Sequence, residues 1–166
     1  MKDCGIRSIR REDLDAVHAL NESAVPHVNS VSIETLERFM KQAAYFRVVE
    51  ARGAVAAFLL GFAPGAAYGS ENYRWFSDHY AEFMYIDRIA VTPEQRGKGF
   101  ALCLYLNIER FISAPVLACE VNLDPPNPRS LEFHRRFGFE QVGMQKTEGG
   151  RKTVILMTKP VGVEAN

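Results

Sequence analysis

The stretch Thr92-Pro93-Glu94-Gln95-Arg96-Gly97-Lys98-Gly99-Phe100-Ala101 constrains this chain more than any other. An apolar run, Ile86 to Val91 broken only by Asp87 and Arg88, stops at Thr92-Pro93. Two glycines around a lysine follow. Then come helix formers, apolar on nearly every side from Gly99 to Ile112, which predict a buried helix. A strand, a tight glycine turn and a buried helix in that order predict a crossover to a parallel strand. Amides at the mouth of such a helix have no intrahelical acceptor and carry partial positive charge. Glycines let a ligand come close to that backbone. The loop is therefore expected to hold an anion, with phosphate or pyrophosphate the best match. A plain strand-to-helix turn with solvated charges is the other reading of the loop taken alone.

Two common phosphate motifs do not fit. A Walker loop needs Lys-Ser/Thr after its last glycine, and Phe100 follows Gly99 here. A dinucleotide fingerprint needs a third glycine where Leu102 stands. The bulk charge points to no large anionic partner either. Lys plus Arg equals Asp plus Glu at 20 each, so no global field favours nucleic acid or an anionic membrane. The 166 residues suit one domain, taken as 1–160 with a tail at 161–166. Cys4, Cys103 and Cys119 are far apart and odd in number. They suggest no zinc site and no disulfide framework, so reduced thiols and no metal are expected. The start, MKDCGIRSIRRED, lacks the apolar segment of a signal peptide. The longest apolar run, Ala54 to Ala63, falls short of the roughly 20 residues a membrane helix needs. A cytoplasmic protein is expected, without membrane or nucleic-acid partners; a homodimer stays open.

The other elements follow from pattern. Ile6 to Ile9 reads as a strand. Leu14, Val17, Leu20 and Ala24 fall at helical spacing, and Val25-Pro26 ends that helix. Ile33, Leu36, Phe39 and Met40 mark a second helix, with Ser32 as its cap. Tyr45 to Val49 and Ala54 to Phe62 read as strands around a turn at Arg52-Gly53. Pro64 to Tyr80 reads as a long aromatic-rich loop. Strands are expected at Glu82 to Val91, Val116 to Val121, Phe139 to Met144 and Thr153 to Met157, and a helix at Asn127 to Phe137. The order is β α α β β β α β α β β, a mixed α/β fold.

Arg96-Gly97-Lys98-Gly99-Phe100-Ala101 reads R-x-x-G-x-A, after a strand that ends Ile89-Ala90-Val91. Some thirty residues on stands Asn127-Pro128-Arg129-Ser130-Leu131-Glu132-Phe133-His134-Arg135-Arg136-Phe137-Gly138-Phe139. In this order the two segments resemble the GNAT family of acyl-CoA-dependent N-acyltransferases. The first is similar to the family's pyrophosphate loop, the second to its helix-to-strand element. The resemblance implies a mostly antiparallel sheet with one splayed parallel pair and flanking helices. It implies acetyl-CoA as co-substrate. Backbone amides of Arg96, Gly97, Lys98, Gly99, Phe100 and Ala101 would bind the pyrophosphate, and Ile89, Ala90 and Val91 the pantetheine arm. Asn127, Ser130, Phe133 and His134 would complete that contact. For Asn127, a helix cap with Pro128 at the first helical position is an equally compatible role.

The implied reaction transfers an acetyl group directly to an amine in a ternary complex. The amine attacks only as the free base, so a proton acceptor is needed. Asp87 is the candidate, sharing a strand face with Tyr85 and Ile89; Glu82 is the reserve. The family pattern has Tyr where His134 stands, as the acid that protonates the thiolate. A packing role for His134 between Phe133 and Phe137 is the other reading. Cys119 as a covalent acyl carrier has no activating neighbour in sequence. The acceptor is expected near Asn21, Glu22, His27, Tyr73, Trp75 and Phe76, where rings and carboxylates suit a cationic amine. Rings that only cover the sheet are the alternative. A small-molecule amine is the first expectation and a protein acceptor stays open. An acyl-CoA-binding sensor or interaction module without transferase activity is the rival function.

Overall fold

The computed structural model describes residues 4–162. Among them run β1 (Ile6–Ser8), α1 (Leu14–Ser23), α2 (Ile33–Gln42), β2 (Tyr45–Ala51), β3 (Ala54–Phe62), α3 (Glu71–His79), β4 (Met84–Val91), α4 (Phe100–Phe111), β5 (Val116–Asp124), α5 (Pro128–Phe137), β6 (Glu140–Thr147) and β7 (Lys152–Pro160). The strand order is β1-β2-β3-β4-β5-β7-β6, mostly antiparallel, with β4–β5 the parallel pair. This is the mixed α/β class that the sequence predicts. Most of the expected tail lies outside the described residues, from 163 onward. The chain forms two compact units. One is built from residues up to Phe62 together with Arg88–Ile112, the other from Ala63–Asp87 together with residues from Ser113 onward.

In the first unit, β1 and β3 flank β2 in antiparallel register. Helix α1 rests on β3 and α2; α4 rests on β2 and β3. Leu14, Val17 and Leu20 of α1, Leu36 and Phe39 of α2, and Val48, Val49, Phe58, Leu59 and Leu60 of β2 and β3 are all buried. Burying each such side chain fully is worth about 1.5–3 kcal/mol. Ser32 caps α2 as expected, its Oγ accepting from the Thr35 amide at 3.2 Å. Arg7 of β1 grips Asp13 with two nitrogens at 2.7 and 2.8 Å, and Asp13 accepts the Arg10 amide at 2.7 Å. That guanidinium holds the Asp13 carboxyl below its usual range.

Two expectations are corrected in this unit. Helix α4 is not buried all round: Leu104, Tyr105 and Ile108 are, whereas Leu102 and Phe111 are 45% and 49% exposed. Its one packed face is set by β2 and β3, and a sequence apolar on every side marks no such face. The cysteines are not all reduced either. Cys4 and Cys103 form a disulfide across 99 residues of sequence, with Cα atoms 6.5 Å apart, and Cys119 is a buried free thiol. Spacing along the chain carries no information on that encounter, because sheet formation brings the lead-in to β1 to the first turn of α4.

In the second unit, β5 pairs antiparallel with β7 along nearly its whole length, and β6 pairs with β7. Among the described residues, β5 pairs with β4 only at Met84–Leu117, Tyr85–Ala118 and Ile86–Cys119. Both strands continue beyond that point. The expected loop at Pro64 to Tyr80 is corrected: residues 71–79 are helix α3. Ser70 caps it, with its Oγ 3.3 Å from the Tyr73 amide, and Tyr73 and Phe76 supply a buried face. Rings of Tyr73, Phe76, Phe83 and Tyr85 lie 5.6–6.4 Å apart in its core. Trp75 lies over Gly143 of β6, where an added Cβ would stand 3.0 Å from the indole. Asn127 caps α5, accepting the Ser130 amide at 3.3 Å, with Pro128 at the first helical position.

Candidate active site

The glycine loop begins where the Thr92 amide, just past β4, donates to Ala56 O of β3 at 2.9 Å. Pro93–Gln95 then forms a 3-10 turn. The Arg96 amide donates to Pro93 O at 3.3 Å and the Lys98 amide to Gln95 O at 3.4 Å. Gly97 and Gly99 have φ of 78° and 87°, a left-handed conformation that side chains resist. A Cβ at either would meet nothing within 4 Å, so the backbone there faces open space. The first bond of α4 runs from Cys103 N to Gly99 O at 2.9 Å. Amides of Gly97, Gly99, Phe100, Ala101 and Leu102 thus find no acceptor among the described residues. Of the six residues expected to present amides, Arg96 and Lys98 use theirs within the turn. Their side chains also stay local: Arg96 Nε reaches Val91 O at 3.4 Å, and Lys98 Nζ reaches Gln95 Oε1 at 2.8 Å. The open amides, the helix N-terminus and the empty space before the glycines fit a diphosphate.

In the second unit, parallel pairing of Tyr85 with Ala118 and Ile86 with Cys119 sets the next residues, Asp87 and Glu120, abreast. Asp87 accepts a very short hydrogen bond from the Tyr68 hydroxyl. The Tyr85 hydroxyl donates to Glu120 Oε2 at 2.8 Å. Burial, and then the Asp87 charge, push the Glu120 carboxyl up to about 8. Bonds from Tyr85 and Asn72 oppose that rise. Asn72, on α3, is itself oriented by Gln145 Nε2, which donates to its Oδ1 at 3.0 Å. Burial, and then Glu120 and Asp87, push the Tyr85 phenol well up. Two carboxylates, two tyrosines and an amide therefore form one cluster. One carboxyl in it is poised to exchange a proton near neutral pH.

Tyr85 and Asp87 were expected here; Glu120, Tyr68 and Asn72 were not. Glu120 had a sequence signal, as the lone charge in the apolar run Val116 to Val121. Glu82, the reserve candidate, is exposed two residues ahead of β4. Burial pushes the Cys119 thiol up, which suits an inert core thiol rather than a nucleophile.

His134 is buried on α5, edge-on to Phe133 and Phe139 at 5.4 and 5.3 Å. Its Nδ1 lies 2.7 Å from Ser130 O, an acceptor, so Nδ1 carries the proton. Burial lowers its proton affinity. The resting ring is then neutral, and its Nε2 accepts rather than donates.

The acceptor candidates fall into separate settings. Tyr73 and Phe76 are core residues; the Tyr73 hydroxyl donates to Ala63 O at 2.7 Å and accepts the Ala66 amide at 3.0 Å. Trp75 is half-buried and stacks on His79 at 3.8 Å. His27 is exposed. Asn21 and Glu22 hold the segment between α1 and α2. Asn21 Nδ2 reaches Asn29 O at 3.1 Å, and Glu22 accepts from Ser30 Oγ at 2.7 Å and the Val31 amide at 3.2 Å. Among the described residues, no group of three or more His, Cys, Asp or Glu could hold a metal ion. No helix among them is long and apolar enough to cross a membrane.

Residues 13–139 match the model of the acetyltransferase (GNAT) family, and the chain belongs to that family. Solved structures of similar fold include three proteins. The ribosomal-protein-S18-alanine N-acetyltransferase from Escherichia coli is 18% identical, with a TM-score of 0.71 over 97% of each chain. Ard1 from Thermoplasma volcanium is 16% identical, with a TM-score of 0.76 over 95% of this chain and 97% of its own. Chaetomium thermophilum Naa20, in complex with a bisubstrate analogue, is 20% identical, with a TM-score of 0.75 over 94% and 86%. Among curated proteins, none matches the sequence.

Proposed function

We propose that the protein transfers an acetyl group from acetyl-CoA to an amine, with the Asp87–Glu120 carboxylate pair as general base. Support comes above all from the setting of Glu120: its carboxyl accepts the Tyr85 hydroxyl at 2.8 Å, and burial and the Asp87 charge push it up to about 8. A base tuned near the working pH combines a usable ionised fraction with real proton affinity. The amides of Gly97, Gly99, Phe100 and Ala101 hold the diphosphate, with Arg96 and Lys98 as flanking charges. The backbone of Ile89 to Val91 receives the pantetheine arm.

The steps follow from these roles. Glu120, as carboxylate, takes a proton from the ammonium form of the acceptor. The free amine attacks the thioester carbonyl; a C–N bond forms and the C–S bond then breaks. The thiolate leaves and takes, through water, the proton that the acylated nitrogen gives up, while Glu120 returns the ammonium proton to solvent. His134 is given no acid role, because burial disfavours the imidazolium, the form that could donate from Nε2 while Nδ1 keeps its bond to Ser130 O. Positioning of amine and thioester supplies the larger part of the acceleration, and the base adds about 10²–10⁴-fold.

The acceptor is a small-molecule amine or the N-terminus of a protein. Structural neighbours carry names of both kinds, a ribosomal-protein acetyltransferase and a phosphinothricin N-acetyltransferase. Titration with acetyl-CoA followed by thiol release with an amino acid, a polyamine, an aminoglycoside and an alanine-terminated peptide tests the reading. Heat on binding and thiol release with one of the four support it. Heat without release from any amine indicates an acyl-CoA sensor, and no heat removes the coenzyme.

A further inference from the structure

Within the second unit, helix α3 is seated on β6 and on the turn that follows it. The Glu148 amide donates to Glu71 Oε2 at 3.3 Å. Gln145 Nε2 donates to Asn72 Oδ1 at 3.0 Å. The Trp75 indole lies over Gly143, which has no side chain to hold it off. Residues 71, 72 and 75 of the helix thus meet 148, 145 and 143 in reverse order. The middle contact continues inward, because Asn72 also bonds the Glu120 carboxyl and favours its ionised form. Strand register shows why a bridge is needed. Gly143, Leu156 and Glu120 stand in one row across β6, β7 and β5. Gln145, on β6, is therefore two strand spacings from the strand of Glu120, about 10 Å. Asn72, from the helix, closes that gap.

An amide side chain can turn either end to a neighbour. An ionised carboxylate only accepts, so it needs Asn72 Nδ2. A protonated carboxyl also donates, and an unrestrained asparagine would turn its oxygen to it. With Gln145 donating to Asn72 Oδ1, that flip sets two donors face to face unless both amides turn at once. We infer that Gln145 is a positioning residue for the base: it holds Asn72 with its N–H toward Glu120, so that the dipole serving the carboxylate is in place before the proton leaves. The inference rests on the transferase reading above, with Glu120 as its base. Other titratable groups also face Glu120. Asp87 and Tyr85 do so from β4, Tyr68 bonds Asp87, and Cys119 is the neighbour on β5. Opposite on β7 stands apolar Leu156. The variants below leave all of these in place.

The test uses Gln145→Leu, Asn72→Leu and the double variant, with Gln145→Met and Asn72→Ala as substitutes where one of these fails to fold. Two midpoints are read in each protein. One is the pH midpoint of kcat at saturating amine, with whichever amine of the panel is acetylated. The other is the titration of the Glu120 carboxyl carbon by NMR, which needs no turnover. Losing the donor to ionised Glu120 leaves its proton more tightly held, so Asn72→Leu should move both midpoints up by about one pH unit. Gln145→Leu should move both upward as well. The double variant should match Asn72→Leu alone, since Gln145 acts through Asn72. Midpoints of Gln145→Leu equal to wild type overturn the inference. So do shifts that add in the double variant. Those results leave the transferase reading standing. A carbon titration that moves while the kcat limb stays put overturns the inference together with the assignment of Glu120 as base. A wild-type protein that binds acetyl-CoA and acetylates no amine removes the transferase reading, and this inference with it.

Discussion

The Tyr85 hydroxyl donates to Glu120 Oε2 at 2.8 Å from a ring that solvent does not reach. The bond crosses from β4 to β5 just where their parallel pairing ends. It couples a buried donor to the one carboxyl in the cluster that burial and a neighbouring charge push toward neutrality. The phenol cannot turn to water, so its hydrogen bond is committed to this acid.

Glu120→Gln should lower kcat about 10²–10⁴-fold, the usual worth of a general base. In the wild type, kcat should rise with pH through about 8, because the proton must be off before Glu120 can act. The variant should lose that limb. Asp87→Asn should keep it and move it to lower pH, since the Asp87 charge is a cause of the upward shift. Kinetics at saturating amine between pH 5 and 10 would check this; a limb kept in Glu120→Gln and lost in Asp87→Asn would assign the base to Asp87.

The same carboxyl makes a stability prediction. Its affinity for a proton is higher folded, at about 8, than in the unfolded chain, at 4.5. The folded state therefore binds more protons between those values, and stability falls as pH rises through that window. Glu120→Gln should flatten the fall. Tm measured across pH 4 to 9 for both proteins would show parallel curves were Glu120 an ordinary surface acid.

Tyr85→Phe removes the donor that favours ionised Glu120. The activity limb should move to higher pH, opposite in direction to Asp87→Asn. Loss of a hydrogen bond to a charged partner should cost about 1.5–3 kcal/mol where that partner is ionised. Chemical denaturation at pH 9, beside the pH–rate curve, would test both; a limb that stays in place would mean that the bond does not tune Glu120.

Gly99→Ala and Gly99→Asp separate conformation from charge at the loop. Neither side chain meets an obstacle, so each bears the left-handed cost of about 1–2 kcal/mol. Only aspartate adds repulsion toward a diphosphate. Acetyl-CoA should bind Gly99→Asp at least tenfold more weakly than Gly99→Ala by calorimetry. Equal affinity for the two would contradict an anion at these amides.

Denatured without reductant, the protein should show one reactive thiol, Cys119, and after reduction three. In the chain-entropy description, opening a loop of about 100 residues removes roughly 4–5 kcal/mol. Cys103→Ser should lower stability comparably, read by denaturant midpoint. Three thiols reacting in unreduced protein would contradict the linkage.

Much of the architecture was legible in the chain because its signals are local. Thr92-Pro93 closes a strand, Gly97 and Gly99 open a helix, and Asn127-Pro128 caps another. What stayed hidden depends on distance in space or on competing local cues. Ahead of helix α3, Pro64, Gly65 and Gly69 announce a loop; yet Ser70 before Glu71, with Tyr73 and Phe76 three apart, is a start signal and an apolar face. A lone carboxylate in a strand, such as Glu120, has no partner by periodicity; Asp87 and Tyr85 meet it only through strand register. The Cys4–Cys103 bond has no local mark at all. His134 was identified by pattern, but its tautomer follows from Ser130 O, one helical turn back.

The division of the chain has a consequence for how the protein can be made. Each compact unit is assembled from separated stretches, with β4 cut between them at Asp87 and Arg88. On the ribosome, the first unit cannot close until Ile112 has emerged, because Leu104 and Ile108 complete its core. By then the opening segment of the second unit, Ala63–Asp87, has already been synthesised without β5 or β7 to pair with. Expressing either half as an uninterrupted fragment is therefore a poor route to a folded piece, and after a nick anywhere in 63–87 the Cys4–Cys103 bond is what still joins the two stretches of the first unit.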